Sequence, residues 1–293
     1  MSEPVISAGA SATADAIPEQ IALTDTHCHI HEAEAGFALG TETKKKYEKT
    51  GSPSPKVFVD EAKKAGVTKL ICVGTTVEDS ELAVEFVQKY PQTWASIGIH
   101  PHEAQRYRQD AAALQRFATL TKQPKVIAVG ECGLDYFYTH SPKEDQLEIL
   151  RFQIELALQH NLPMIFHVRN AFADFWPVFD AYPGIRGVIH SFSSDCHDLE
   201  QILKRNLNVG LNGIVTFMKD DAQLAAIKAV PLDKLLLETD APFLTPVPYR
   251  GTLCQPKHVR VTAEFLAKLR GEPLNAIAKQ TNQNVHNLFG LSR

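Results

Sequence analysis

Six candidate metal ligands stand at the ends of five short apolar runs, and few folds can use such a pattern. The runs end in Asp25-Thr26-His27-Cys28-His29, Gly130-Glu131, Phe166-His167, Ile189-His190 and Glu238-Thr239-Asp240. The six ligands are His27, His29, Glu131, His167, His190 and Asp240. Side chains arriving from the ends of separate strands need a fold that gathers those ends in one place. A (β/α)8 TIM barrel does this at the C-terminal rim of its strands. The 293 residues suit a single α/β barrel domain.

Eight strand candidates recur along the chain with helical stretches between them. They span residues 21–27, 67–74, 93–99, 125–131, 162–168, 185–190, 207–211 and 234–238. Several are almost continuously apolar, as parallel strands buried on both faces should be. Before the fifth, Ser141-Pro142-Lys143-Glu144 supplies an N-cap, a proline at the first helical position and a capping-box glutamate. Leu147, Leu150, Ile154 and Leu158 then mark one helix face.

Two segments fall outside this alternation. Residues 1–18 are rich in Ala and Ser, lack Lys and Arg, and read as a disordered tail ahead of a barrel over 19–293. Residues 33–55 read as a rim loop inserted after the first strand, with Thr41–Ser54 polar and carrying Lys44-Lys45-Lys46. A solvated insertion and a cationic arm that meets a phosphate backbone are both open readings.

The net charge of -4 excludes a global basic field that holds nucleic acid non-specifically. Any such substrate needs a local patch and the metals themselves. Five scattered cysteines without a CxxC pair indicate reduced thiols and a cytoplasmic setting. No apolar stretch is long enough to span a membrane, so no membrane association is expected.

Residues i and i+2 on a strand share a face, so His27 and His29 can reach one ion while Cys28 points away. Asp25 reads either as a partner orienting a ring or as a turn residue. Glu131 offers two oxygens that can bridge two cations, and its flanking glycines allow a tight turn. His167 and His190 hold equivalent positions on neighbouring strands. Asp240 ends the strand next in the ring to the first and can complete the His27/His29 ion. Glu238, two residues earlier, should share its face and accept a proton from the attacking water. Divalent cations lower the pKa of water and stabilise charge on the attacked centre. Imidazole suits zinc, manganese, iron or nickel, and the carboxylates leave magnesium open. His100 and His102 in Gly98-Ile99-His100-Pro101-His102, and Arg250, are candidate substrate or phosphate contacts. Asp135 reads as structural, pairing with Arg169.

The motifs DTHCHIH, GIHPH, GECGLDY, HVR, HSFS, LETDAPFL and PYRG, in this order from Ile21 to Leu291, resemble the TatD-type metal-dependent hydrolases of the amidohydrolase superfamily. The resemblance implies a two-metal site. It matches His27, His29, Glu131 and Asp240 to one divalent ion, and Glu131, His167 and His190 to the other. It makes Asp240 an activator of water and puts Glu238, His100 and Arg250 near the substrate. It implies a magnesium-dependent DNase, with 3′-5′ exonuclease action on single-stranded DNA. The alternative is an acyl or amide hydrolase, such as a D-aminoacyl-tRNA deacylase, with tRNA as partner. A non-enzymatic nucleic-acid-binding barrel is a third reading, disfavoured by the intact ligand set. Cys254-Gln255-Pro256 departs from the family's Asn-Glu-Pro and removes a carboxylate near the rim. The oligomeric state is not legible.

Overall fold

All eight expected strands form, in one parallel sheet ordered β1 to β8. The computed structural model describes residues 21–34, 41–51 and 53–291. The expected tail at residues 1–18 lies outside them, as do 35–40 and 52 of the expected rim insertion. The strands are β1 Leu23–Cys28, β2 Val67–Val73, β3 Thr93–Ile97, β4 Val126–Asp135, β5 Met164–Arg169, β6 Gly187–Ile189, β7 Asn208–Leu211 and β8 Leu235–Leu237. The helices are α1 Glu42–Lys49, α2 Pro55–Lys64, α3 Val77–Lys89, α4 Ala104–Tyr107, α5 Ala111–Leu120, α6 Lys143–Gln159, α7 Phe172–Asp180, α8 Cys196–Lys204, α9 Asp221–Ala229, α10 Val259–Arg270 and α11 Leu274–Phe289. Closure between β8 and β1 is made beyond the strand end. Asp240 N–H donates to His27 O at 2.8 Å, and His29 N–H donates to Ala241 O at 2.8 Å.

Alternation along the strands builds the two levels of the barrel interior. Ile71, Val73, Ala128, Ile165, Val188 and Leu236 form an inner apolar cluster. The end of α11 closes that cluster with Val285, Leu288 and Phe289, followed by Leu291. Two residues beyond Ile165, Val188 and Leu236 come His167, His190 and Glu238. The same strand faces that are apolar lower down thus carry the polar groups at the top.

Three local expectations change. Thr41–Ser54 is not a loop: α1 forms because Thr41 Oγ1 accepts from Lys44 N at 3.1 Å, capping the helix. Thr43 and Tyr47 then bury one face of it, and Tyr47 packs on Phe58 of α2. Ser141 does not cap α6. Its hydroxyl instead donates to His102 O at 2.7 Å and accepts from Gln105 N, so the cap position passes to Pro142. Finally, β4 does not turn at Glu131. It continues to Asp135 through a register shift between Val129 and Cys132. The nearby glycines serve close approach: a Cβ at Gly98 would collide with Glu131 N, and one at Gly133 with His167 O.

Candidate metal centre

His27 and His29 come from the end of β1 with their rings on the same side, Nε2 to Nε2 at 3.3 Å. Cys28 between them turns away and donates from Sγ to Ile71 O. The Glu131 carboxylate reaches His27 Nε2 with Oε2 at 3.4 Å. Asp240 Oδ1 stands 3.4 Å from His29 Nε2 and 3.7 Å from His27 Nε2. Asp240 holds a left-handed backbone at φ 62°, which Asp tolerates better than most residues.

These distances fit a cation. Ligand bonds of about 2.0–2.2 Å place neighbouring ligand atoms roughly 3–3.6 Å apart. The tautomer fits as well. His29 Nδ1 lies 2.7 Å from Val73 O, a contact that needs its proton there. Once it gives up its Nε2 proton, His29 therefore presents a bare lone pair beside a carboxylate and a second imidazole. Such a set of converging acceptors calls for a positive charge between them.

The other Glu131 oxygen builds a second cradle. Oε1 lies 2.8 Å from His167 Nδ1, 3.5 Å from His190 Nε2 and 3.6 Å from His100 Nε2. One carboxylate therefore faces both cradles, one oxygen to each. His100, expected only near substrate, stands as close to Oε1 as His190 does.

The rings are held from behind by carboxylates, the usual way a ligating histidine is oriented. His167 Nε2 and His102 Nε2 both meet Asp135 Oδ2, at 2.9 and 3.0 Å. Asp135 does not pair with Arg169, whose guanidinium lies over Phe137 and Tyr138. Glu238 was expected to touch the attacking water. It is buried behind His190 instead, where Oε1 lies 3.0 Å from His190 Nδ1 and accepts from Ser191 N at 2.6 Å. Asp25 orients no ring. It ties β1 to the end of β8, accepting from Thr239 N at 2.9 Å and Thr239 Oγ1 at 2.6 Å.

Charge in the site is strongly coupled. Burial would raise the Glu131 pKa, but His190, His100, His167 and His27 hold it well below the carboxylate range. Burial disfavours a charged His29, yet Asp240 and Glu131 push its pKa up to about 9. His190, likewise buried, is pushed up to about 10 by Glu238 and Glu131. Burial and His190 together lower His27. Above the centre opens a cavity of about 580 Å³, lined by His29, His100, His102, Glu131, His167, His190 and Asp240 together with Thr41, Tyr138, Arg169 and Phe243.

The family model for TatD-related DNases matches residues 24–290. The chain belongs to that family. It is 34% identical over 273 residues to the metal-dependent hydrolase YabD of Bacillus subtilis, covering 92% of this chain and 100% of that one. It is 32% identical to the 3′-5′ ssDNA/RNA exonuclease TatD of Escherichia coli K12, covering 78% and 90%. The crystal structure of YjjV, a TatD homologue from E. coli, superposes with a TM-score of 0.80 at 26% identity, covering 94% of this chain and 100% of that one.

Two features of this TatD-family chain sit away from the cavity. Arg250 is exposed, donates from Nη1 to Thr245 O at 3.0 Å and stacks 3.8 Å over Phe217. It does not line the cavity in which substrate contact was expected. Cys254 is fully buried, and Gln255 N–H donates to His258 Nδ1 at the start of the next helical turn. Cys254-Gln255-Pro256 therefore sits in local packing, outside the residues that line the cavity. No described helix is long and apolar enough to cross a membrane.

Proposed function

We propose that this chain is a metal-dependent phosphodiesterase that cleaves single-stranded DNA from its 3′ end. Two divalent cations would be held in the paired cradles, one by His27, His29, Glu131 and Asp240, the other by Glu131, His167 and His190. His100 is close enough to assist the second. The observation that carries this reading is the Glu131 carboxylate, whose two oxygens face separate histidine sets at 3.4 Å and at 2.8–3.6 Å. The donor set of imidazoles and carboxylates admits magnesium, manganese or zinc. Bound there, such cations would make water acidic and stabilise charge on the phosphoryl group.

The chain's own residues supply the rest. Asp240 faces the cavity and is held ionised by His29 and His190 against the cost of burial, so it can accept the proton of the attacking water. Asp135 and Glu238 hold the rings of His167 and His190 from behind and keep the second cradle in register. His102 lines the cavity with Nε2 anchored on Asp135, leaving its Nδ1 side for substrate. Lys46 of α1 lies 4.5 Å over the ring of Phe243, which lines the cavity, and so sets a local cation behind that wall. The relatives named as exonucleases favour a nucleic acid over a small ester.

The test is a panel of single-stranded DNA, double-stranded DNA and D-aminoacyl-tRNA with Mg²⁺ or Mn²⁺, with Glu131→Ala as control. The expected result is shortening of single-stranded DNA that stops with EDTA and is absent in Glu131→Ala. Metal-replete protein that leaves every DNA intact while deacylating the tRNA would overturn the reading.

A further inference from the structure

β4 runs out into two large aromatic residues that the fold leaves in the open. Phe137 and Tyr138 are 54% and 43% exposed. Their rings meet edge to face, with centroids 4.7 Å apart. Tyr138 also stacks on His140 at 5.7 Å. Arg169, ending β5, lays its guanidinium over both rings, 4.1 Å from Phe137 and 4.9 Å from Tyr138. Among the described residues no carboxylate forms an ion pair with Arg169, so its guanidinium is held by the two rings alone.

The position of this cluster is fixed relative to the reacting centre. Asp135 Oδ1 accepts from the N–H groups of Phe137 and Tyr138, each at 2.9 Å. Its other oxygen holds His102 and His167. One buried carboxylate thus sets both the aromatic turn and two rings of the metal cavity. Tyr138 and Arg169 themselves line that cavity with Glu131, His190 and Asp240. Arg169 also borders an adjoining cleft that carries Asp195, Asp198 and Asp220, carboxylates that repel a phosphate backbone.

We propose that Phe137, Tyr138 and Arg169 form a stacking platform for a nucleobase next to the phosphodiester held at the metal cavity. The proposal rests on the nuclease reading and names how that site selects its substrate. Aromatic faces stack any base, and a guanidinium adds charge attraction, so such a platform is sequence-tolerant. A base paired within a duplex is already stacked on its neighbours and is not free to lie on it. The platform therefore selects single strands.

The experiment places one abasic residue at successive positions from the 3′ end of a single-stranded oligonucleotide. At one position wild type should lose about tenfold or more in kcat/KM, the scale of one base–aromatic stack. The double variant Phe137→Leu/Tyr138→Leu should lose that preference for a base, and Tyr138→Trp should retain it. Binding is read separately with 2-aminopurine at the same position, on metal-depleted full-length protein. Wild type should quench the probe, and the double variant should not. A wild-type enzyme that cleaves the oligonucleotide with no position sensitive to base removal overturns the platform and leaves the nuclease reading standing. Equal quenching by a folded double variant overturns it too. Wild type that cleaves no oligonucleotide at all overturns both. If the double variant fails to fold, the wild-type abasic scan and quenching decide the matter alone.

Discussion

The two ends of this barrel are built from the same strands with opposite chemistry. Toward the bottom, Ile165, Val188 and Leu236 meet Leu288 and Phe289 of α11 in an apolar cluster. Two residues further along the same strands, His167, His190 and Glu238 crowd with Glu131 and Asp240. The bottom is satisfied by its own contacts, because apolar burial needs no partner from outside. The top is not, because its carboxylates and imidazole lone pairs converge on common points. Stability and function are thereby separated along the barrel axis, and substitutions at the two ends should separate in the same way.

The largest effect belongs to the top. Asp240→Asn keeps the shape but removes the proposed proton acceptor and one proposed anionic ligand. Its kcat/KM on single-stranded DNA should fall by about 10³-fold or more, while the metal-free protein loses only the stability of the Asp240–His29 ion pair, a far smaller effect. If unfolding shifts as much as activity, the two ends are not separable. The mirror experiment is Phe289→Ala, which opens a cavity at the bottom. It should cost about 3 kcal/mol in denaturant unfolding while the folded fraction keeps wild-type kcat. A collapse of kcat at unchanged stability would mean that the α11 plug reaches the active end.

How far the two ends were legible in the sequence follows from their chemistry. Strand periodicity and the recurrence of apolar runs are local signals, and all eight strands and the six candidate ligands fall where they point. The supporting carboxylates are a different matter. Asp135 reads as a structural partner of Arg169 while β4 is taken to end at Glu131, and nothing in the residues themselves announces the register shift that carries the strand on. Once it continues, Asp135 is four residues beyond Glu131 and shares its face. Glu238 shares the Asp240 face, as alternation says, but sits one level lower and so meets His190 instead of the cavity. Arg250 reads as a phosphate contact from its guanidinium chemistry, but the segment after β8 carries it outward onto Phe217. Depth along the axis and loop trajectories depend on long-range packing that no local pattern records.

Cation binding gives the next prediction in size. A metal that binds the folded top and not the unfolded chain stabilises by about 2.7 kcal/mol at a hundredfold excess over its Kd. Wild type and Phe289→Ala should both gain this increment with Mn²⁺, and Asp240→Asn should gain much less. His29 and His190, pushed up to about 9 and about 10, must give up their protons to ligate. Binding should therefore release protons, and affinity should weaken as pH falls. Calorimetry in two buffers of different ionisation enthalpy measures the release. An increment of equal size in Asp240→Asn would show that the cation binds elsewhere.

The smallest effect concerns a histidine handled the other way, by exclusion of charge. His258 lies beyond the β8 end, stacked on Tyr249 at 5.1 Å, and its Nδ1 accepts from Gln255 N–H at 3.2 Å. Burial, with Lys257 beside it, lowers its pKa from 6.5 to about 4. A proton on Nδ1 would also break the contact with Gln255. Between pH 6.5 and 4 the unfolded chain binds a proton that the folded chain refuses. Stability from this group is therefore full above 6.5, declines as pH falls through the window, and levels off below 4. The decline should be on the order of 2 kcal/mol. His258→Gln can keep an acceptor for Gln255 N–H without titrating, so its unfolding free energy should lose this part of the acid slope. The difference between wild type and variant isolates His258 from the carboxylates and histidines of the top, which titrate in both. If the two curves run parallel from pH 7 to 4, His258 takes up its proton in the folded state, and charge exclusion at this rim position is wrong.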